Sequence, residues 1–150
     1  MASIEEEIKQ PKFKSEFSKS IVNLMFTNGW IHQQQLSIFR PFGITTPQYN
    51  ILRILRGQHP RPVTVNLLIE RMLDKSSNAS RIVDKLESKG LVERKQCLHD
   101  RRAVDVVISD EGLRLLSDID YSMNQWEDRI NNLSEEECRQ LNRLLDKLRG

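Results

Sequence analysis

Cysteine is scarce in this 150-residue chain: Cys97 and Cys138 are its only two. That is too few for a disulfide framework or a four-thiolate zinc site. Glycine and proline are also few, at 6 and 5, which excludes a collagen-like or low-complexity disordered chain. No stretch approaches the ~18 uncharged apolar residues of a membrane span. The opening run Met1-Ala2-Ser3-Ile4-Glu5-Glu6-Glu7 is acidic, and it lacks the basic-then-apolar order of a signal peptide. A cytoplasmic location with no membrane partner is therefore expected. The chain offers no nucleophile beside a base, no phosphate-cradling glycine loop and no metal-ligand motif. Its histidines, His32, His59 and His99, include no His-x-x-x-His pair. Neither an enzyme nor a cofactor or metal site is expected.

What the chain does have is 38% apolar and 29% charged residues, enough for one domain with a sizeable core. Net charge is only +2, but it is unevenly spread. Between residues 75 and 102 lie Lys75, Arg81, Lys85, Lys89, Arg94, Lys95, Arg101 and Arg102, against Asp84, Glu87, Glu93 and Asp100. A basic segment on a near-neutral background is the pattern of a localised polyanion contact. A plain solvated surface is the alternative.

Apolar residues at helical spacing, from Phe13 and Phe17 through Leu24 and Ile31 to Ile38, predict a long helix over 13–39. Pro41 and Gly43 stop it. Thr46-Pro47 reads as an N-cap followed by proline at the first helical position, with Tyr49, Ile51, Leu52, Ile54 and Leu55 as the apolar face. Gly57 and Pro60 end that helix. Thr64 can cap a short third helix through Met72. A fourth follows Lys75-Ser76-Ser77, with Ala79, Ile82, Val83 and Leu86 on one face and Gly90 as its left-handed terminator. Residues 91–95 and 104–108 predict an antiparallel hairpin. Leu113, Leu116, Ile119, Met123, Trp126, Ile130 and Leu133 form a near-heptad seam in a helix over 110–132. Ser134 and Glu137 make a capping box for the last helix, whose face is Cys138, Leu141, Leu144, Leu145 and Leu148. Cys138 reads as a core residue.

The fold class that follows is mainly α with a small β-hairpin wing: a winged helix-turn-helix at 44–108 between terminal helices at 13–39 and 110–149. A helix that enters a major groove needs small polar residues at its N-terminal end, so that its backbone can approach base edges. Ser76, Ser77, Asn78 and Ser80 fit, and Ser76 or Ser77 could equally be caps. Arg81 and Lys85 lie one and two turns on, within reach of a base edge or phosphates. Arg101 and Arg102 at the hairpin tip suit a narrow minor groove, with Asp100 positioned to pair with Arg102. Thr64, Arg94 and Lys95 complete the candidate contacts.

Three segments in this order and spacing resemble the MarR family of winged-helix transcriptional regulators. They are Thr46-Pro47-Gln48-Tyr49; the run from Ser80-Arg81-Ile82-Val83-Asp84-Lys85-Leu86 through Gly90-Leu91-Val92-Glu93-Arg94; and Asp100-Arg101-Arg102-Ala103-Val104 followed by Ile108-Ser109-Asp110-Glu111-Gly112. The likeness runs from about Phe13 to Leu148. It implies a homodimer interlocked through the first and last two helices, a palindromic operator in double-stranded DNA, and recognition helices about 34–36 Å apart. It implies a repressor, released by a small aromatic or anionic effector in a cleft near Trp30, His32, Phe39, Tyr49 and Arg53. The chain departs from the family pattern in the glycine-free turn Leu73-Asp74-Lys75, in Ser109 where threonine is usual, and in having no cysteine early in the first helix. Two alternatives stand beside this expectation: a winged-helix module that binds protein, and a redox-responsive regulator that uses Cys97.

Overall fold

The computed structural model describes residues 2–96 and 104–150. Among these residues, seven α-helices and three short strands run in the order α1 (Ile4–Glu7), α2 (Glu16–Phe39), α3 (Thr46–Gln58), β1 (Val63–Thr64), α4 (Val65–Arg71), α5 (Ala79–Ser88), β2 (Val92–Gln96), β3 (Val104–Ile108), α6 (Asp110–Ile130) and α7 (Glu135–Arg149). The expected fold class holds.

Several local expectations need correction. The first long helix starts at Glu16 behind the Ser15 cap, not at Phe13, because Ser15 accepts the Ser18 N–H at 3.1 Å. A short helix, α1, precedes it, with Ser3 and Glu6 forming a capping box. The cap of α3 is Thr45, which accepts from the Gln48 N–H at 3.4 Å while the Gln48 side chain accepts from the Thr45 N–H at 3.1 Å. Thr46 and Pro47 are thus already helical. Gly57 lies inside that helix rather than ending it.

The hairpin is part of a three-stranded antiparallel sheet in the order β1-β3-β2. Val63 stands opposite Val106, and Val92 opposite Ile108. The core lies where α3, α4, α5, the sheet and the first half of α6 meet. Leu52, Leu55, Leu68, Val83, Leu86, Val106, Leu116 and Ile119 are each at most 1% exposed. Truncating one of these leucines or Ile119 to alanine would cost about 2–5 kcal/mol.

One junction fixes the sheet to α6. Ser109 caps α6, accepting the Gly112 N–H at 3.1 Å, and its hydroxyl donates to the Gly90 carbonyl at 2.6 Å. The Ser109 N–H donates to the Leu91 carbonyl at 3.0 Å. Gly112 is buried against this turn, and a Cβ there would overlap the Leu91 carbonyl and lie 2.7 Å from Ile108 Cγ1.

The terminal helices are different. No residue of α7 is buried, and Leu141, Leu144 and Leu148 are exposed. Cys138 is half-exposed, so it is not the core residue its apolar neighbours suggested. The N-terminal two-thirds of α2 also leaves Phe17, Leu24, Met25, Phe26 and Trp30 exposed. Within the seam of α6, Leu116, Ile119, Met123 and Trp126 are buried, Leu113 and Ile130 are half-buried, and Leu133 lies beyond the helix, exposed.

Candidate nucleic-acid interface

Helix α5 buries Ala79, Val83 and Leu86, with Ile82 packed beside them. At 100° per residue, this leaves Ser80, Arg81, Asp84, Lys85 and Ser88 on the opposite stripe, all exposed. Asn78 is the cap, its side-chain oxygen accepting the Arg81 N–H at 3.1 Å. Ser76 and Ser77 are not in the helix, and neither caps it. Instead both hydroxyls donate to the Asp74 carboxylate, at 2.6 and 2.9 Å, and the Ser76 N–H adds a third bond at 2.9 Å. These bonds, the Ser76 hydroxyl foremost, hold the Asp74 carboxyl below its ordinary pKa. The turn needs no glycine because Asp74 closes it. The Leu73 N–H also donates to the Asn50 side chain at 2.9 Å, tying the turn to α3.

Lys75 reaches back to the Ile69 and Glu70 carbonyls, which neutralises the C-terminal end of α4. Lys89 donates to the Gly43 carbonyl. Thr64 caps α4 by accepting the Leu67 N–H at 3.2 Å. Lys95 is exposed on β2. Arg94, on the same strand, is only 28% exposed and pairs with Asp84 and Glu87. Asp100, Arg101, Arg102 and Cys97 lie outside the described residues.

The structure thus brings Ser80, Arg81 and Lys85 onto one outward face, with Ser76, Ser77 and Asn78 at its leading end. Sequence reasoning missed the role of Asp74. An acid two and three residues before serines is the signal of an Asx-type turn, and it was there to be read.

The residues considered for an effector divide into two sets. Phe39 is fully buried and stacks on Tyr49, with ring centroids 4.4 Å apart and a 31° interplanar angle. Arg53 lies over the Tyr49 ring at 5.7 Å and donates to its hydroxyl at 3.0 Å. Trp30 and His32 are exposed on α2. An open groove of about 560 Å³, lined by Gln33, Leu36, Ser37, Arg40, Gly43, Ile44 and Thr45, includes none of these five. Among the described residues no cluster of three or more His, Cys, Asp or Glu could hold a metal ion. No described helix is long and apolar enough to cross a membrane.

Comparison with known proteins bears on this geometry. The sequence model of the MarR family matches residues 42–103, which run from the approach to α3 to the residue before β3. The transcriptional regulator MgrA of Staphylococcus aureus is 24% identical over 111 residues, 74% of each chain. The S. aureus MepR–DNA complex superposes with a TM-score of 0.77 at 21% identity, over 91% of this chain and 97% of that one. The MarR transcription factor of Planctomyces limnophilus superposes with a TM-score of 0.69 at 30% identity, over 90% of this chain and 98% of that one. A likeness of that identity, spanning nearly the whole of a MarR regulator, places this chain in the MarR family of winged-helix transcriptional regulators.

Proposed function

We propose that this regulator is a cytoplasmic homodimeric repressor of a palindromic DNA operator, released by a small aromatic or anionic effector. The observation that carries the reading is the outward stripe of α5. Small residues at its leading end allow close approach to base edges, and Arg81 and Lys85 follow where guanine edges or phosphates would lie. Ser76, Ser77 and Asn78 lie at the leading end of that face, and Thr64, Lys95, Asp100, Arg101 and Arg102 are the further proposed contacts. The MepR neighbour was solved with DNA, which agrees with this use of the fold.

The homodimer is supported by the apolar residues that α2 and α7 leave exposed. They amount to more than one small winged domain needs, and such a patch marks an interaction surface. Two α5 helices would then meet adjacent major grooves. Occupying a promoter is the simplest route to repression. An effector would release DNA by binding better to a dimer with wrongly spaced recognition helices. Tyr49 and Arg53, hydrogen-bonded to each other on α3, are the polar groups offered to such an anion.

The test is selection of bound duplexes from a random pool at moderate salt, with the Arg81→Ala/Arg102→Ala variant in parallel. Enrichment of a palindrome by the parent and its loss in the variant is the expected result. No enrichment by a folded parent would favour the protein-binding module instead.

A further inference from the structure

The exposed stripe of α5 is small or cationic except at its centre, where Asp84 stands between Ser80 and Arg81 on one turn and Lys85 and Ser88 on the next. A bare carboxylate there would face the phosphates of any duplex laid against the helix and repel it. It is not bare. Arg94 crosses from β2, and its Nη1 pairs with Asp84 Oδ1 and, at 3.4 Å, with Glu87 Oε2. Nη2 donates to the Ser80 carbonyl at 3.3 Å, and the Arg94 N–H donates to Glu87 Oε1 at 3.2 Å. One guanidinium thus spans α5 from Ser80 to Glu87.

We propose that Arg94 is a charge mask: it cancels Asp84 and Glu87 on the DNA-facing helix rather than contacting DNA itself. This rests on the DNA-binding reading above. Arg94 has spent its charge and most of its donors inside the domain, whereas Lys95, one residue on, is exposed.

The test is titration of a fluorescent mixed-sequence duplex at several low salt concentrations, with thermal melts alongside. Four proteins are compared: the parent, Arg94→Ala, Asp84→Asn/Glu87→Gln, and the three changes combined. Arg94→Ala should weaken binding on the order of tenfold through the uncovered carboxylates, with the salt slope retained. The triple variant should recover the loss. Asp84→Asn/Glu87→Gln, which leaves Arg94 uncovered, should bind at least as tightly as the parent. A salt slope reduced by about one in Arg94→Ala, with no recovery in the triple variant, would make Arg94 a phosphate contact and overturn the mask. Weakened binding by a folded Asp84→Asn/Glu87→Gln protein would also overturn it, even if Arg94→Ala failed to fold. Absence of binding by the parent would instead remove the DNA reading itself, and the mask with it.

Discussion

Arg56 and Asp120 stand 64 residues apart in sequence and meet in a two-pronged ion pair, Nη1 to Oδ2 at 2.6 Å and Nη2 to Oδ1 at 3.1 Å. The pair links α3, inside the winged domain, to the middle of the long helix α6. Both side chains keep about a third of their surface, 30% and 37%, so water and salt screen them. A double-mutant cycle with Arg56→Ala and Asp120→Ala, followed by urea unfolding, should give a coupling of about 0.5–1 kcal/mol, the upper part of the range for exposed pairs. It should shrink at high salt.

Gly112→Ala is expected to destabilise far more than an ordinary surface change. Its Cβ would meet a backbone carbonyl, Leu91 O, and Ile108 Cγ1 at 2.7 Å, and backbone cannot rotate aside. A loss of about 2–3 kcal/mol is expected from such overpacking, read as a lower urea midpoint with an unchanged slope. A neutral outcome would mean that α6 can slide away from the sheet.

Asn78→Ala should cost about 1 kcal/mol, the usual value of a lost N-cap. Ser76→Ala and Ser77→Ala act on the Asp74 turn and leave the helix cap intact. They should change stability less than Asn78→Ala in the same chemical unfolding series.

Acid should loosen this turn and the start of α7. The Asp74 carboxyl is held below its ordinary pKa by the Ser76 and Ser77 hydrogen bonds, and the Glu137 carboxyl by the Ser134 N–H and hydroxyl. A depressed folded-state value means stabilisation that is complete above the unfolded value, near 4, and lost as pH falls through the folded one. Carboxyl NMR titration should find both below the ordinary range, and Ser76→Ala should move Asp74 back up.

Met25→Asp or Leu144→Asp, each at an exposed apolar site on the terminal helices, should convert the proposed dimer to monomer in sedimentation experiments while helix content is kept. A monomeric parent would sink the dimer; unchanged dimers in both variants would move the interface elsewhere. If Arg81 reads a base, Arg81→Ala should cost about 1–3 kcal/mol at one base pair. An equal loss on every duplex would make it a phosphate contact.

The elements legible in the sequence were those whose signals are local. The face Ala79-Val83-Leu86, the Ser134–Glu137 box and the alternating Val104-Val106-Ile108 strand all appear as expected. Strand β1 was not legible. It is two residues long, and its partner Val106 lies beyond two intervening helices, so no local pattern announces it. The shift of the α3 cap to Thr45 was legible in principle, since Gln48 three residues on selects Thr45 over Thr46. For the candidate site, Arg81 and Lys85 could be assigned to one face from spacing alone. That Arg94 is engaged by Asp84 and Glu87 could not, because the contact exists only once β2 has folded back along α5. The exposure of α7 marks the reverse limit: an apolar stripe tells that a face will be covered, not by which chain.

The knot of bonds among Gly90, Leu91, Ser109 and Gly112 has a mechanical meaning. The tail of α5, the roots of both long strands and the first turn of α6 are soldered at one point. Helix α5, the sheet and α6 are therefore tied to one another at this point. In a dimer, the gauge between the two heads would be set by the angle at which the long helices cross. Under the proposed release, an effector acting on those helices need touch nothing near DNA, because tilt at the stem is carried to both heads.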